Sequence, residues 1–123
     1  MTWHFDSGRP IYTQLLERVR FLIISGQYPP GSKLPSVRDL ASEASVNPNT
    51  MQRALAELER SQLICSHRTT GRFVTEYEEM IQKMKETIGK EKILTFFRDM
   101  EQLGYDKSQT TALIDNMLKE MNV

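Results

Sequence analysis

Between Asn47 and Arg53 the chain gathers Asn47, Asn49, Thr50, Gln52 and Arg53 into about two helical turns. These residue types read nucleic acid. Asparagine and glutamine amides pair bidentately with adenine, and an arginine guanidinium pairs with guanine or phosphate. Such readout requires the exposed N-terminal end of a helix, because that end enters the major groove. Lys33, Ser36 and Arg38 precede the run, and His67, Arg68 and Gly71 follow it. Lys33 and Ser36 suit phosphates. Arg68 and His67 suit a neighbouring groove, where Gly71 permits close backbone approach. Each residue also has a local alternative. Asn47 could serve only as a cap, Thr50 could bind backbone, and Gln52 could face solvent. Arg38 and Arg53 could pair with Asp39, Glu43 or Glu57, and His67 could be a plain surface histidine.

The surrounding sequence predicts the elements that would hold these groups. Pro10 is suited to the first helical position. Ile11, Leu15, Val19, Leu22 and Ile23 then recur at helical spacing, and Gly26 is a stop. Tyr28-Pro29-Pro30-Gly31 forms a loop. Ser36 caps a second helix with Val37, Leu40, Ala41 and Ala44 inward. Ser45-Val46 makes a tight turn. Asn47 then caps a third helix with Pro48 at its first position and Met51, Ala54, Leu55 and Leu58 inward. Ile64, Phe73 and Val74 read as strands around a turn at Thr69-Thr70-Gly71. A short helix, a turn, a longer polar-faced helix and a hairpin, in that order, are the pattern of a winged helix-turn-helix.

Composition changes after Thr75. Glu76-Tyr77-Glu78-Glu79 starts a long helical pattern, with a bend or break at Gly89 left open. Gly104 is the expected stop. Asp106 and Gln109 have capping-box spacing and open a last helix. Met84, Ile88, Ile93, Phe96, Phe97, Met100, Leu113 and Met117 are too much apolar surface for two helices to bury alone. A second copy of the segment is the simplest cover, against packing back on the N-terminal part. The expected architecture is mainly α with a small β-wing. Residues 1–75 form the winged helix-turn-helix, and residues 76–123 a two-helix dimerisation segment.

The 123 residues carry zero net charge, unevenly placed. Residues 1–75 hold nine Lys/Arg against six Asp/Glu, and residues 76–123 hold seven against ten. A basic front and an acidic rear suit a protein that presents one end to a polyanion. The lone Cys65 forms no internal disulfide and reads as a small apolar filler. No apolar run approaches the ~20 residues of a membrane span, and Thr2-Trp3-His4-Phe5-Asp6 lacks a signal-peptide layout. A cytoplasmic location is expected. His4, His67 and Cys65 have no zinc-ligand spacing, and no nucleotide-binding or nucleophile motif occurs. No catalytic residue, metal or cofactor is expected.

The ordered motifs resemble the GntR family of bacterial transcriptional regulators. The matching residues are Pro10-Ile11-Tyr12, Gln14-Leu15, Ile24-Ser25-Gly26, Pro30-Gly31-Ser32-Lys33-Leu34-Pro35-Ser36, Arg38-Asp39-Leu40-Ala41, Val46-Asn47-Pro48-Asn49-Thr50, Arg53-Ala54 and Gly71-Arg72-Phe73-Val74. Together they span about residues 8–75. The short tail is similar to the YtrA-type subfamily, in which about two helices serve dimerisation. The resemblance implies that Arg38 contacts DNA and that a transporter operon is regulated. Its wing departs from the family's pattern: His67-Arg68-Thr69-Thr70-Gly71 has one glycine and one fixed cation fewer.

The expected partners are double-stranded DNA and a second copy of the chain. The expected function is a homodimeric repressor with one half of a palindromic operator per copy. Neutral charge and the thinned wing leave a winged-helix protein-interaction module as the alternative. A small-molecule effector, if one exists, would need a pocket between two tails or between tail and DNA domain.

Overall fold

The computed structural model describes residues 3–122; Met1, Thr2 and Val123 lie outside the described residues. The elements run α1 (Ile11–Ile24), α2 (Val37–Ala44), α3 (Pro48–Arg60), β1 (Ile64–His67), β2 (Gly71–Val74), α4 (Glu78–Gln102) and α5 (Lys107–Met121). This is the mainly α architecture with a small wing. The chain separates into two compact units that divide between Met84 and Lys85. The division falls inside α4, beyond Thr75, because Ile81 and Met84 pack in part on the first unit's core. That contact takes up part of the Met84 side chain, which the helical pattern alone places at a dimer interface.

In the first unit, Leu15, Val19 and Ile23 of α1 and Leu40, Ala41 and Ala44 of α2 belong to one core, in which α1 and α2 each pack against α3. Met51, Ala54, Leu55 and Leu58 of α3 join the same core. Ile64 and Val74 anchor the root of the hairpin to it. Ile11 stays exposed at the rim. Pro10 is the N-cap and not the first helical residue, with extended backbone (ψ 137°). The helix therefore starts one residue later than proline's preference predicts. β1 and β2 pair antiparallel from Ile64 opposite Val74 to His67 opposite Gly71. The turn is Arg68 to Thr70.

Two features were not anticipated from the sequence. Ser32 to Leu34 adds a short extended stretch to the wing. Leu34 N–H donates to Arg72 O at 2.9 Å, and Val74 N–H to Ser32 O at 2.9 Å. A three-residue stretch between Gly31 and Pro35 is too short to show alternation. The second is a clamp on the N-terminal arm. Gln14 is buried; its Oε1 accepts from Asp6 N–H at 2.7 Å, and its Nε2 donates to Asp6 O at 2.9 Å and Arg9 O at 3.0 Å. Trp3 and Phe5, on the clamped arm, pack against the core. Gln14→Ala removes three hydrogen bonds, each worth about 1 kcal/mol net. It should destabilise the domain by about 3 kcal/mol, read as a lower urea midpoint, and an unchanged midpoint would contradict the clamp.

In the second unit α4 passes through Gly89 unbroken. The glycine's cost of ~1 kcal/mol is outweighed by good helix formers on both sides. Gly104 adopts φ +98°, with its N–H on Glu101 O (2.9 Å) and Tyr105 N–H on Met100 O (3.0 Å). These are the paired bonds of a Schellman stop, whose left-handed residue favours glycine. The expected capping box is present: Gln109 N–H donates to Asp106 Oδ1 at 2.8 Å, and Asp106 N–H to Gln109 Oε1 at 2.9 Å. Among the described residues α4 buries none, and α5 buries only Thr110.

Candidate nucleic-acid interface

Ser36 Oγ accepts from Asp39 N–H at 3.1 Å and fixes the start of α2. At the other end Ser45 adopts a left-handed conformation (φ 56°, ψ 46°), and Val46 N–H returns to Ala41 O at 3.0 Å. This single reversal redirects the chain into α3. Asn47 Oδ1 accepts from Asn49 N–H at 2.8 Å, and Pro48 fills the first turn. Asn47 is therefore a cap, and its remaining amide group stays at an exposed helix start.

With Met51, Ala54, Leu55 and Leu58 buried, the opposite side of α3 exposes Asn49, Gln52 and Arg53. Thr50 is half-buried beside them. Lys33, Ser36 and Arg38 are exposed before the turn, and His67, Arg68 and Gly71 on the wing. Lys33, Ser36, Thr70 and Gly71 line one open groove between the start of α2 and the wing, where Asp39 adds a carboxylate. Gly71 has φ +108°, and a Cβ there would lie 3.3 Å from Lys33 Cε. A side chain at this position would crowd Lys33 and strain the backbone.

Three arginines are ion-paired among the described residues. Arg9, Arg60 and Arg72 hold carboxylates of Glu17, Glu57 and Glu59. Among the described residues Arg38 and Arg53 enter no ion pair. The alternative pairing with Asp39, Glu43 or Glu57 is therefore not made. Arg53 instead lies over the Tyr12 ring, 4.5 Å from its centroid.

The wing is braced from behind. Glu59, near the end of α3, accepts from Ser66 Oγ of β1 at 2.6 Å and from Arg72 Nε of β2 through the same oxygen. Arg72 is thereby committed to the fold. The signal was hidden because Glu59, Ser66 and Arg72 lie on three elements with no shared period. His67 sits edge-on to Phe73, with ring centroids 4.7 Å apart. Its Nε2 is 4.0 Å from Cys65 Sγ. Cys65 is exposed, contrary to its reading as a core filler, because the hairpin projects past the core and only Ile64 of β1 is buried.

Burial pushes the Glu59 carboxyl up, but hydrogen bonds from Ser66 and Arg72 and the Arg72 charge outweigh it and hold it below the usual range. A depressed folded-state value means the bracing is complete above the ordinary carboxylate pKa of about 4.3. It is lost as pH falls through the lower folded-state value. Glu59→Gln should therefore melt below the parent at neutral pH, and the difference should shrink as pH falls below the ordinary carboxylate range. A constant gap across this range would contradict the brace.

A capped helix, a left-handed turn, a second helix with a polar outer face and a braced basic hairpin define a winged helix-turn-helix DNA-binding protein. The family follows from direct comparison. The chain belongs to the gntR family of bacterial regulatory proteins, whose model matches residues 11–74. It is 35% identical over 105 residues to the HTH-type transcriptional regulator YhcF of Bacillus subtilis, covering 85% of this chain and 87% of that protein. It is 43% identical over 70 residues to the HTH-type transcriptional repressor YtrA of the same organism, covering 57% and 54%. A solved GntR family transcriptional regulator from Listeria monocytogenes superposes with a TM-score of 0.83 at 38% identity, covering 91% of this chain and 98% of that one. YtrA from Sulfolobus acidocaldarius, a GntR-family transcription factor, superposes with a TM-score of 0.54 at 27% identity, covering 100% of both chains. These relatives are transcriptional regulators and not enzymes.

Proposed function

We propose that the chain is a homodimeric transcriptional repressor that binds a palindromic operator in double-stranded DNA, one half-site per copy. The observation that carries this reading is the state of α3. Its apolar side is wholly used by the core, while Asn49, Gln52 and Arg53 are exposed and Arg53 enters no ion pair among the described residues. Base readout falls to Asn47, Asn49, Thr50, Gln52 and Arg53. Lys33, Ser36 and Arg38 contact phosphates, and His67 and Arg68 carry the wing into the neighbouring groove, where Gly71 allows close approach.

Dimerisation is supported by the tail. Ile93 is 57% exposed, and Leu94, Phe96, Met117 and Leu118 are exposed with it. Ile88, Phe97, Met100 and Leu113 are only half-buried. Helices without a packed face are marginal in water, and a second copy of the same face supplies one. Repression is the activity named for the relative YtrA. A transporter operon, as the YtrA-type resemblance implies, is the regulated unit in this reading. The site of action is the cytoplasm, where the DNA lies.

Fluorescence anisotropy tests the DNA reading against salt. Lys33 and Arg38 from two copies would neutralise about four phosphates, giving a slope of log K against log salt near −4. The probe is the tightest duplex that the protein selects from a randomised pool. A flat salt response would overturn the reading.

A further inference from the structure

Arg53 and Tyr12 come from different helices and meet ring to guanidinium. The Arg53 carbon lies 4.5 Å from the centroid of the Tyr12 ring, within cation–π range. Tyr12 is half-buried and packs against the core, so its ring is a fixed platform. Arg53 is exposed. One turn further along α3, Glu57 is held by Arg60 at 2.8 Å and does not draw Arg53 away.

The geometry of the group matters here. Stacking uses the flat face of a guanidinium, whereas its five N–H donors lie in the plane and stay free at the edge. A long arginine side chain without such support loses much rotamer freedom when it binds. A ring beneath it takes that loss before DNA arrives.

We propose that Tyr12 is a positioning residue for operator readout: its ring holds the face of Arg53 and presents the N–H edge to the duplex. The proposal rests on the reading of Arg53 as a DNA-contacting residue. Tyr12 itself need not touch DNA.

The test is a double-mutant cycle by anisotropy, using the duplex that the wild-type protein selects from a randomised pool. Tyr12→Leu should weaken binding by about 5- to 30-fold for a dimer that carries the stack twice. Tyr12→Phe, which keeps the ring, should bind like wild type. In an Arg53→Ala background, Tyr12→Leu should add nothing. Three results would overturn the proposal while leaving Arg53 as a DNA contact. They are unchanged binding by Tyr12→Leu, an equal loss by Tyr12→Leu with or without Arg53, and a loss by Tyr12→Phe as large as by Tyr12→Leu. The last would make the hydroxyl a direct contact. Wild-type binding by Arg53→Ala would instead overturn the reading beneath it. Melting curves accompany each variant. Should Tyr12→Leu unfold, Tyr12→Met, of similar volume but unbranched and flexible enough to fill the site, is read the same way.

Discussion

Arg53→Ala is expected to lower affinity for the selected duplex by thirtyfold or more while leaving the fold intact. The side chain is exposed and enters no ion pair among the described residues, so its removal leaves no buried charge behind. A bidentate arginine contact contributes about 1–3 kcal/mol per copy. Two copies on one operator would lose about 2–6 kcal/mol, and 1.4 kcal/mol is tenfold. Arg38→Ala should act in the same direction, and the pair together should abolish specific binding at moderate salt. Melting temperatures should stay within a few degrees of wild type, because neither side chain belongs to the core. Anisotropy and a thermal scan on the same preparations check both halves. Wild-type affinity in both single variants would remove these residues from the interface.

The second large effect concerns the tail. Phe96→Asp places a carboxylate on the exposed apolar side of α4, where Ile93 and Leu94 are exposed and Phe97 stacks edge-on against Phe96. At the centre of an interface such a change removes an aromatic anchor and buries an unpaired charge in each copy. The dimer should weaken by more than a hundredfold, which sedimentation velocity reads as a shift to monomer. Operator affinity should fall with it. Linking two binding modules raises avidity by about 10²- to 10⁴-fold, and that factor goes when the copies part. The winged helix should remain folded, since its core draws nothing from Phe96. A variant that stays dimeric would place the interface elsewhere.

The parts of this molecule legible in its sequence are those governed by local rules. Asn47 and Pro48 announce the start of α3, and Asp106 with Gln109 announces α5, because caps act within one turn. The inward residues of α3 follow from a period of 3.6. What was hidden depends on contacts between elements. Glu59 reaches two strands, Gln14 clamps an arm that precedes its helix, and Tyr12 meets Arg53 across two helices. No spacing rule links residues so far apart in sequence. Tyr12 and Arg72 do stand in the family motifs, which mark that such positions matter without saying why. Cys65 departs from its apolar-filler expectation for a related reason: strand alternation does not tell how far a hairpin projects beyond the core. Gly89 shows the limit of propensity, since a cost of ~1 kcal/mol does not break a helix of 25 residues.

The most direct measurement varies the distance between operator half-sites and follows affinity. Two joined copies, each with α3 in a major groove, must approach the duplex from one side, so half-sites sit about one helical turn or a multiple apart. Inserting roughly half a turn, about 5 bp, should therefore cost most of the affinity, and inserting about 10 bp should restore part of it. Affinity that ignores the insertion would contradict paired reading by two recognition helices.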